Sequence, residues 1–382
     1  MRTKLLLLFL VFIIACQENP VLSPRVSTSQ EEAQELYAQN FSLRPDGDGG
    51  FHLGVFFKAR LDKPDVLDSS TCDYYLHIDS GFQANRVAAL STTHASLLDK
   101  SGALESLKAV GFADLVRNEN TRDLIDKGEI AGLSASNDAD FEIIVELDPQ
   151  IYLVYPFGNS DYSRYEELGI KCIPICEYLE PTPLGRAEWM KVIGVLTGKY
   201  PEACSAFGEI ERQYVVLRNH VNNQVMPKNE IDSLHSKAPR PVVFAGSFDQ
   251  GKWFAPPGNS FTAEFIKDAG GQYLFDETSQ SGNLELEFEE LFERAYDADW
   301  WGKVIYEEGE LTLDKLKADD ERLSRLKAFR NGKILYCNTY TSDYFGDGIV
   351  EPHIILADLI SILHPEMIAE HTAVYFQSLS AQ

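Results

Sequence analysis

The stretch "LGRAEWMKVIGVLTGKYPEACSAFGEIERQYVVLRNHVNNQV" (184–225) is where the chain changes rhythm. Its apolar residues recur at helical spacing. Pro201 marks a break or the first turn of a second helix. On either side, short apolar runs alternate with helical patterns. Before it come strand "VAAL" (87–90), a helix at 95–101, a weak strand at 107–112 and "EIAGL" (129–133). A helix at 140–147, strand "IYLVY" (151–155), a helix at 161–168 and strand "KCIPI" (171–175) follow. After it the alternation restarts with strand "PVVFAG" (241–246), a helix at 260–269, "GGQYLF" (270–275) and a helix at 287–296. It ends with "VIY" (304–306), a helix at 321–329, strand "KILYCN" (333–338) and a helix at 352–363. Strands alternating with helices predict largely parallel sheets. The expected fold is therefore α/β, with two Rossmann-like lobes at 81–182 and 241–382. One long bridging helix (183–226) and a polar loop (227–240) join them. Residues 50–80, with "FHLGVFFKA" and "CDYYLHI", read as a small N-terminal β extension.

The N-terminus carries an address. Arg2 and Lys4 precede an unbroken apolar run, Leu5 to Ile14, too short to span a bilayer as a helix. Ala15 and Cys16 follow directly, the pattern of a bacterial lipoprotein processing site. Residues 1–15 are expected to be a signal peptide, Cys16 the lipidated N-terminus, and 16–49 a polar tether. Acyl chains would anchor the protein to a membrane of the cell envelope, facing the periplasm. A plain secretory signal cleaved elsewhere is the alternative.

The formal charge of −25, with no Lys/Arg cluster beyond the N-terminus, argues against a nucleic-acid partner. Five cysteines remain: Cys72, Cys172, Cys176, Cys204 and Cys337. An odd number cannot all pair within the chain. Buried free thiols and a disulfide both stay open. No G-x-S-x-G elbow, P-loop, H-E-x-x-H or Rossmann glycine fingerprint occurs, so a binding protein is expected rather than an enzyme.

The stretches "RVAALSTTHASLLDKSGA", "EYLEPTPLGRAEWMKVIGVLTGK", "AGGQYLF", "LKAFRNGKILYCN" and "GIVEPHIILADLISILHPE", in that order, resemble the substrate-binding lipoproteins of ABC importers. The class is the one that carries iron–siderophores, haem and vitamin B12, and the chain is most similar to the iron-complex type of Bacteroidetes-like bacteria. The resemblance implies a class III binding-protein fold: two lobes, a stiff helical bridge, and a ligand cleft between the lobes. It implies a monomer that delivers an iron complex, haem or corrinoid to an ABC permease and its ATPase, with no covalent cofactor.

Strand-end loops would face that cleft. In "STTH", Thr92 or Thr93 can cap a helix, and Thr93 and His94 are expected to face the ligand, with His94 a possible metal ligand. Tyr155 and Phe157 in "YPFGN" would stack on it. Glu177 and Tyr178 follow strand "KCIPI". Arg186 opens the bridge and suits bidentate recognition of carboxylates, with a salt bridge to Glu180 or Glu188 as the alternative. In the second lobe, Trp253 and Phe254 are expected in a Gly/Pro-rich loop, and Tyr340, Tyr344 and Phe345 in the loop after "KILYC". The resemblance further places one permease-docking glutamate on each lobe, Glu142 and Glu289, acting by charge. A capture lipoprotein working without a permease is a second reading. A receptor for free zinc or manganese is less favoured, because only His94 of the eight histidines falls on an expected cleft loop.

Overall fold

The N-terminal lobe is built on strands whose edges are set by turn residues. A computed structural model describes residues 36–58, 66–134, 140–156, 161–226, 238–368 and 370–379. Cys16, the signal and Phe157 lie outside the described residues. The chain first makes a three-stranded antiparallel sheet, β1 (Phe41–Pro45), β2 (Phe51–Val55) and β3 (Tyr74–Ile78). β1 falls within the stretch expected to be a tether. The "DGDGG" run is the turn of its hairpin, where the Asp46 carboxylate accepts from the amides of Asp48 and Gly50.

β4 (Val87–Ala89), α1 (Thr92–Lys100), β5 (Leu107–Gly111), α2 (Glu119–Asp126), β6 (Ala131–Leu133) and α3 (Phe141–Leu147) follow. Next come β7 (Ile151–Val154), α4 (Ser163–Glu166) and β8 (Lys171–Pro174). The strands form one all-parallel sheet in the order β6-β5-β4-β7-β8. Ala88, Ala89, Ile151 and Leu153 are buried to 1% exposure or less, as strands covered on both faces require.

The bridge is three helices rather than one: α5 (Pro183–Glu188), α6 (Met190–Thr197) and α7 (Tyr200–Asn222). Gly198 ends α6 in the left-handed region (φ 71°), and Pro201 sits in the first turn of α7, where its missing N–H costs nothing. The bridge and the turn before it anchor the N-terminal segment through buried carboxylates. Glu180 accepts from the amides of Gln39 and Asn40 and from the Trp189 indole. Glu188 accepts from the Ala38 amide and pairs with buried Lys191 at 2.7 Å. Phe41 packs edge-on against Trp189.

β9 (Val225–Met226) and β10 (Ala238–Pro239) pair briefly. The second lobe then runs β11 (Val242–Ala245), β12 (Ser247–Asp249), β13 (Lys252–Ala255), α8 (Phe261–Asp268), β14 (Gln272–Tyr273), β15 (Leu284–Leu286), α9 (Phe288–Ala295) and β16 (Trp300–Ile305). It continues through α10 (Leu313–Asp319), α11 (Lys327–Arg330), β17 (Ile334–Asn338), α12 (Asp347–Val350), α13 (Pro352–Leu363) and β18 (Phe376–Ser378). Its main sheet has the order β14-β11-β16-β17-β18, parallel except for β18. Two α/β lobes joined by a helical bridge are thus present. β12, β13 and β15 form a separate antiparallel sheet where a loop was expected. The described cysteines, all five beyond Cys16, carry free thiols.

Candidate functional site

Each main sheet reverses its winding once. In the first lobe the chain builds outward from β4 to β6, then returns to build β7 and β8 on the other side. The second lobe does the same around β11 and β16. Open α/β sheets bind ligands beyond the carboxyl ends of the strands at this reversal. The residues after β4, β7 and β8 meet there in the first lobe.

Ser91, not Thr92 or Thr93, caps α1: its backbone is extended and its hydroxyl accepts from the Thr93 amide. That frees the Thr93 hydroxyl to donate to Glu177 Oε1 at 2.6 Å. Glu177 lies in a short 3₁₀ turn, Glu177–Leu179, just past β8. His94 was expected to face the cleft, but it is 0% exposed, since α1 turns its ring inward beneath Glu177. Its Nε2 lies 3.9 Å from Glu177 Oε2, and Tyr155 packs edge-on to its ring. Burial holds the imidazole pKa down, against the opposing pull of Glu177 and the Leu153 carbonyl. Tyr155 and Tyr178, both half-buried, stand edge to face at 6.4 Å.

Arg186 enters from α5, a helix capped by Thr182 and begun by Pro183. Neither alternative salt bridge forms: Glu180 and Glu188 are engaged elsewhere. Arg186 is 9% exposed, and its guanidinium lies 4.2 Å over the Phe261 ring of α8. Its buried Nε has no hydrogen-bonding partner, and neither has Glu177 Oε2. Burial lowers the Arg186 pKa, opposed first by Glu177 and then by Tyr344. Tyr344 is also buried and shares a small pocket with Arg186 and Phe265. A buried guanidinium with an unpartnered Nε thus faces residues of both lobes.

The other expected residues scatter. Trp253 is 0% exposed: it sits in β13, packs among Phe244, Phe248 and Trp301, and donates to the Ala245 carbonyl. It is core, because β13 pairs with β12 and β15 instead of forming a loop. Phe254, its neighbour, is half-buried and lines a cavity within the second lobe. Tyr340 and Phe345 are exposed after β17, Tyr340 against Tyr306. Glu142 and Glu289 are exposed in the first turns of α3 and α9. Phe261, Phe265 and Tyr306 were not singled out by the sequence. Among the described residues, no group of three His, Cys, Asp or Glu converges to hold a metal ion.

Residues 87–341 match the family model described as periplasmic binding protein. An uncharacterised lipoprotein of Methanocaldococcus jannaschii is 28% identical over 290 residues, covering 74% of this chain and 65% of its own length. The match therefore spans less than two thirds of that relative. Among solved structures, a periplasmic heme binding protein from Pseudomonas aeruginosa aligns with a TM-score of 0.59 at 16% identity, covering 78% of this chain and 99% of that one. An ABC-type Fe3+-hydroxamate transport system from Saccharomonospora viridis aligns with a TM-score of 0.53 at 16% identity, covering 75% and 96%. At such identities the likeness is one of fold.

Proposed function

The chain belongs to the periplasmic binding protein family, and from that premise we propose that it is the lipid-anchored cargo receptor of an ABC importer. Its cargo is an iron complex (siderophore or haem) or a corrinoid, held between the lobes and passed to a permease and its ATPase. The observation that carries this reading is Arg186, buried with no hydrogen-bond partner at its Nε, beside Glu177, whose Oε2 likewise has none. Buried polar atoms left without a partner are costly in a resting protein. An anionic chelate would use the donors of Arg186, while the half-buried Tyr155 and Tyr178 would offer aromatic contacts to its organic body. Hydroxyl or amide N–H donors of the cargo would serve Glu177.

Topology supports a docking role for the two glutamates. Glu142 and Glu289 occupy equivalent places: each begins the helix that leads into the strand beside its lobe's first strand. One charge per lobe at matched positions suits a permease that must sense both lobes at once. Cys16 supplies the anchor, in keeping with the lipoprotein relative. No helix among the described residues is long and apolar enough to cross a membrane.

The test is to mix purified protein with haem, cobalamin, a ferric hydroxamate and a ferric catecholate, remove free ligand by gel filtration, and record visible spectra. One complex is expected to co-elute at one equivalent. If all four separate cleanly from the protein, the cargo class is wrong.

A further inference from the structure

The second lobe holds a cavity of about 480 Å³ whose walls all come from residues 245–376. It lies where strand order reverses between β11 and β16, the position at which open α/β sheets take ligands. Two neighbouring sheet positions create the space. Ala245 and Gly302 are partners in register across β11 and β16. A Cβ on Gly302 would lie 3.6 Å from the Ala245 Cβ and 3.3 Å from Leu335 Cδ1. The branched side chains that parallel strands favour would fill this floor; glycine and alanine leave it open. Phe265 and Ile266 of α8 and Leu359 of α13 supply apolar walls, with Asp249 and Val304 at the exposed rim. Lys303 is turned to Asp319 at 3.4 Å.

The cavity adjoins the anion position. Phe265 and Tyr344 wall both this cavity and the small pocket that holds Arg186. Phe261, beneath the guanidinium, directly precedes Thr262 of the cavity wall. We propose that the cavity is a subsite for the apolar arm of an amphipathic organic anion whose charged head meets Arg186. Its size is that of a pocket for a drug-sized molecule. The head end of this proposal rests on the cleft reading given above. The arm end stands on the cavity alone, and it narrows the cargo to chelates or macrocycles carrying an apolar substituent.

Two naphthalene probes test it: the anionic 1-anilinonaphthalene-8-sulfonate and the uncharged N-phenyl-1-naphthylamine, titrated by fluorescence against folded protein. Both should bind wild type at one site. Gly302→Val fills the floor and Val304→Trp blocks the rim; each should weaken both probes by more than about tenfold, as loss of a buried apolar contact surface implies. Val304 is 39% exposed, so the tryptophan needs no core rearrangement, and an unchanged thermal melt keeps that result interpretable. Arg186→Gln should weaken the sulfonate by more than about tenfold, the worth of a charge-assisted hydrogen bond, and leave the neutral probe within about twofold. Probes that ignore Val304→Trp, fail to bind wild type, or lose affinity equally with Arg186→Gln would overturn the subsite. Failure of the cargo reading is seen separately, as wild type that retains none of the four metal complexes. A wild type that binds a complex unaffected by Val304→Trp would sink the arm subsite alone.

Discussion

Asp268→Asn should make stability less dependent on pH. Asp268 ends α8 and is 4% exposed; Tyr214, on the long bridge helix, donates to its Oδ2 at 2.8 Å. Burial, with Glu264 adding to it, pushes the carboxyl pKa from 3.8 to about 6. The folded protein therefore binds this proton more tightly than the unfolded chain does. The associated stability is present at low pH and is lost as pH rises from about 4 through about 6. At about 1.4 kcal/mol for each pH unit between the two pKa values, ionisation costs the folded state about 3 kcal/mol at pH 8. The cost falls to about half of that at pH 5 and nearly vanishes at pH 4. Asparagine can still accept from Tyr214 but carries no charge. Urea unfolding of both proteins at several pH values gives the difference directly. His94, His353 and His364, held below their ordinary value by burial, destabilise both proteins alike as pH drops below about 6.5, so they cancel. Asp268→Asn should gain on wild type by about 2 kcal/mol between pH 4 and pH 8. A difference that stays flat over that range would refute the argument.

Three other experiments probe the frame and the docking faces. Trp253→Ala removes a fully buried indole from the second-lobe core and should cost about 3–5 kcal/mol by urea unfolding, a loss no exposed loop residue would produce. Lys191→Met leaves Glu188 buried without its cation and should cost about 3–5 kcal/mol; adding Glu188→Gln should restore much of it, and a single variant as stable as wild type would contradict the pairing. Glu142→Arg combined with Glu289→Arg should leave cargo binding intact and abolish retention of the protein by its permease in a pull-down, because attraction becomes repulsion at both lobes; unchanged retention would remove the glutamates from the interface.

The α/β lobes were legible because their strands are short apolar runs bounded by Gly, Pro and Asp. The bridge was legible as a zone, since its amphipathic period interrupts the alternation. Its division into three helices rests on two breaks: the one at Gly198 was legible through Pro201, which opens α7, while the one at Trp189 falls in "AEWMKV", with no glycine or proline to mark it. The small sheet of β12, β13 and β15 was not legible. Ser247–Asp249 and Lys252–Ala255 look like a loop between glycines, and the strand that completes them begins near Leu284. Trp253 became core by that distant pairing. His94 illustrates the same limit at the site. A histidine at a helix start reads as exposed, and only the return of the chain at Glu177 covers it. Glu180 and Glu188 looked like partners for Arg186. They are instead claimed by Ala38, Gln39, Asn40 and Lys191, which leaves Arg186 open to the anion proposed for it.

The most direct test of that claim is calorimetric titration of the co-eluting metal complex into wild type and Arg186→Gln. An anion held by the buried guanidinium predicts affinity reduced by more than about tenfold, with melting temperature unchanged or raised because an unpaired buried charge is gone. Equal affinity in the two proteins would mean that Arg186 does not meet the cargo.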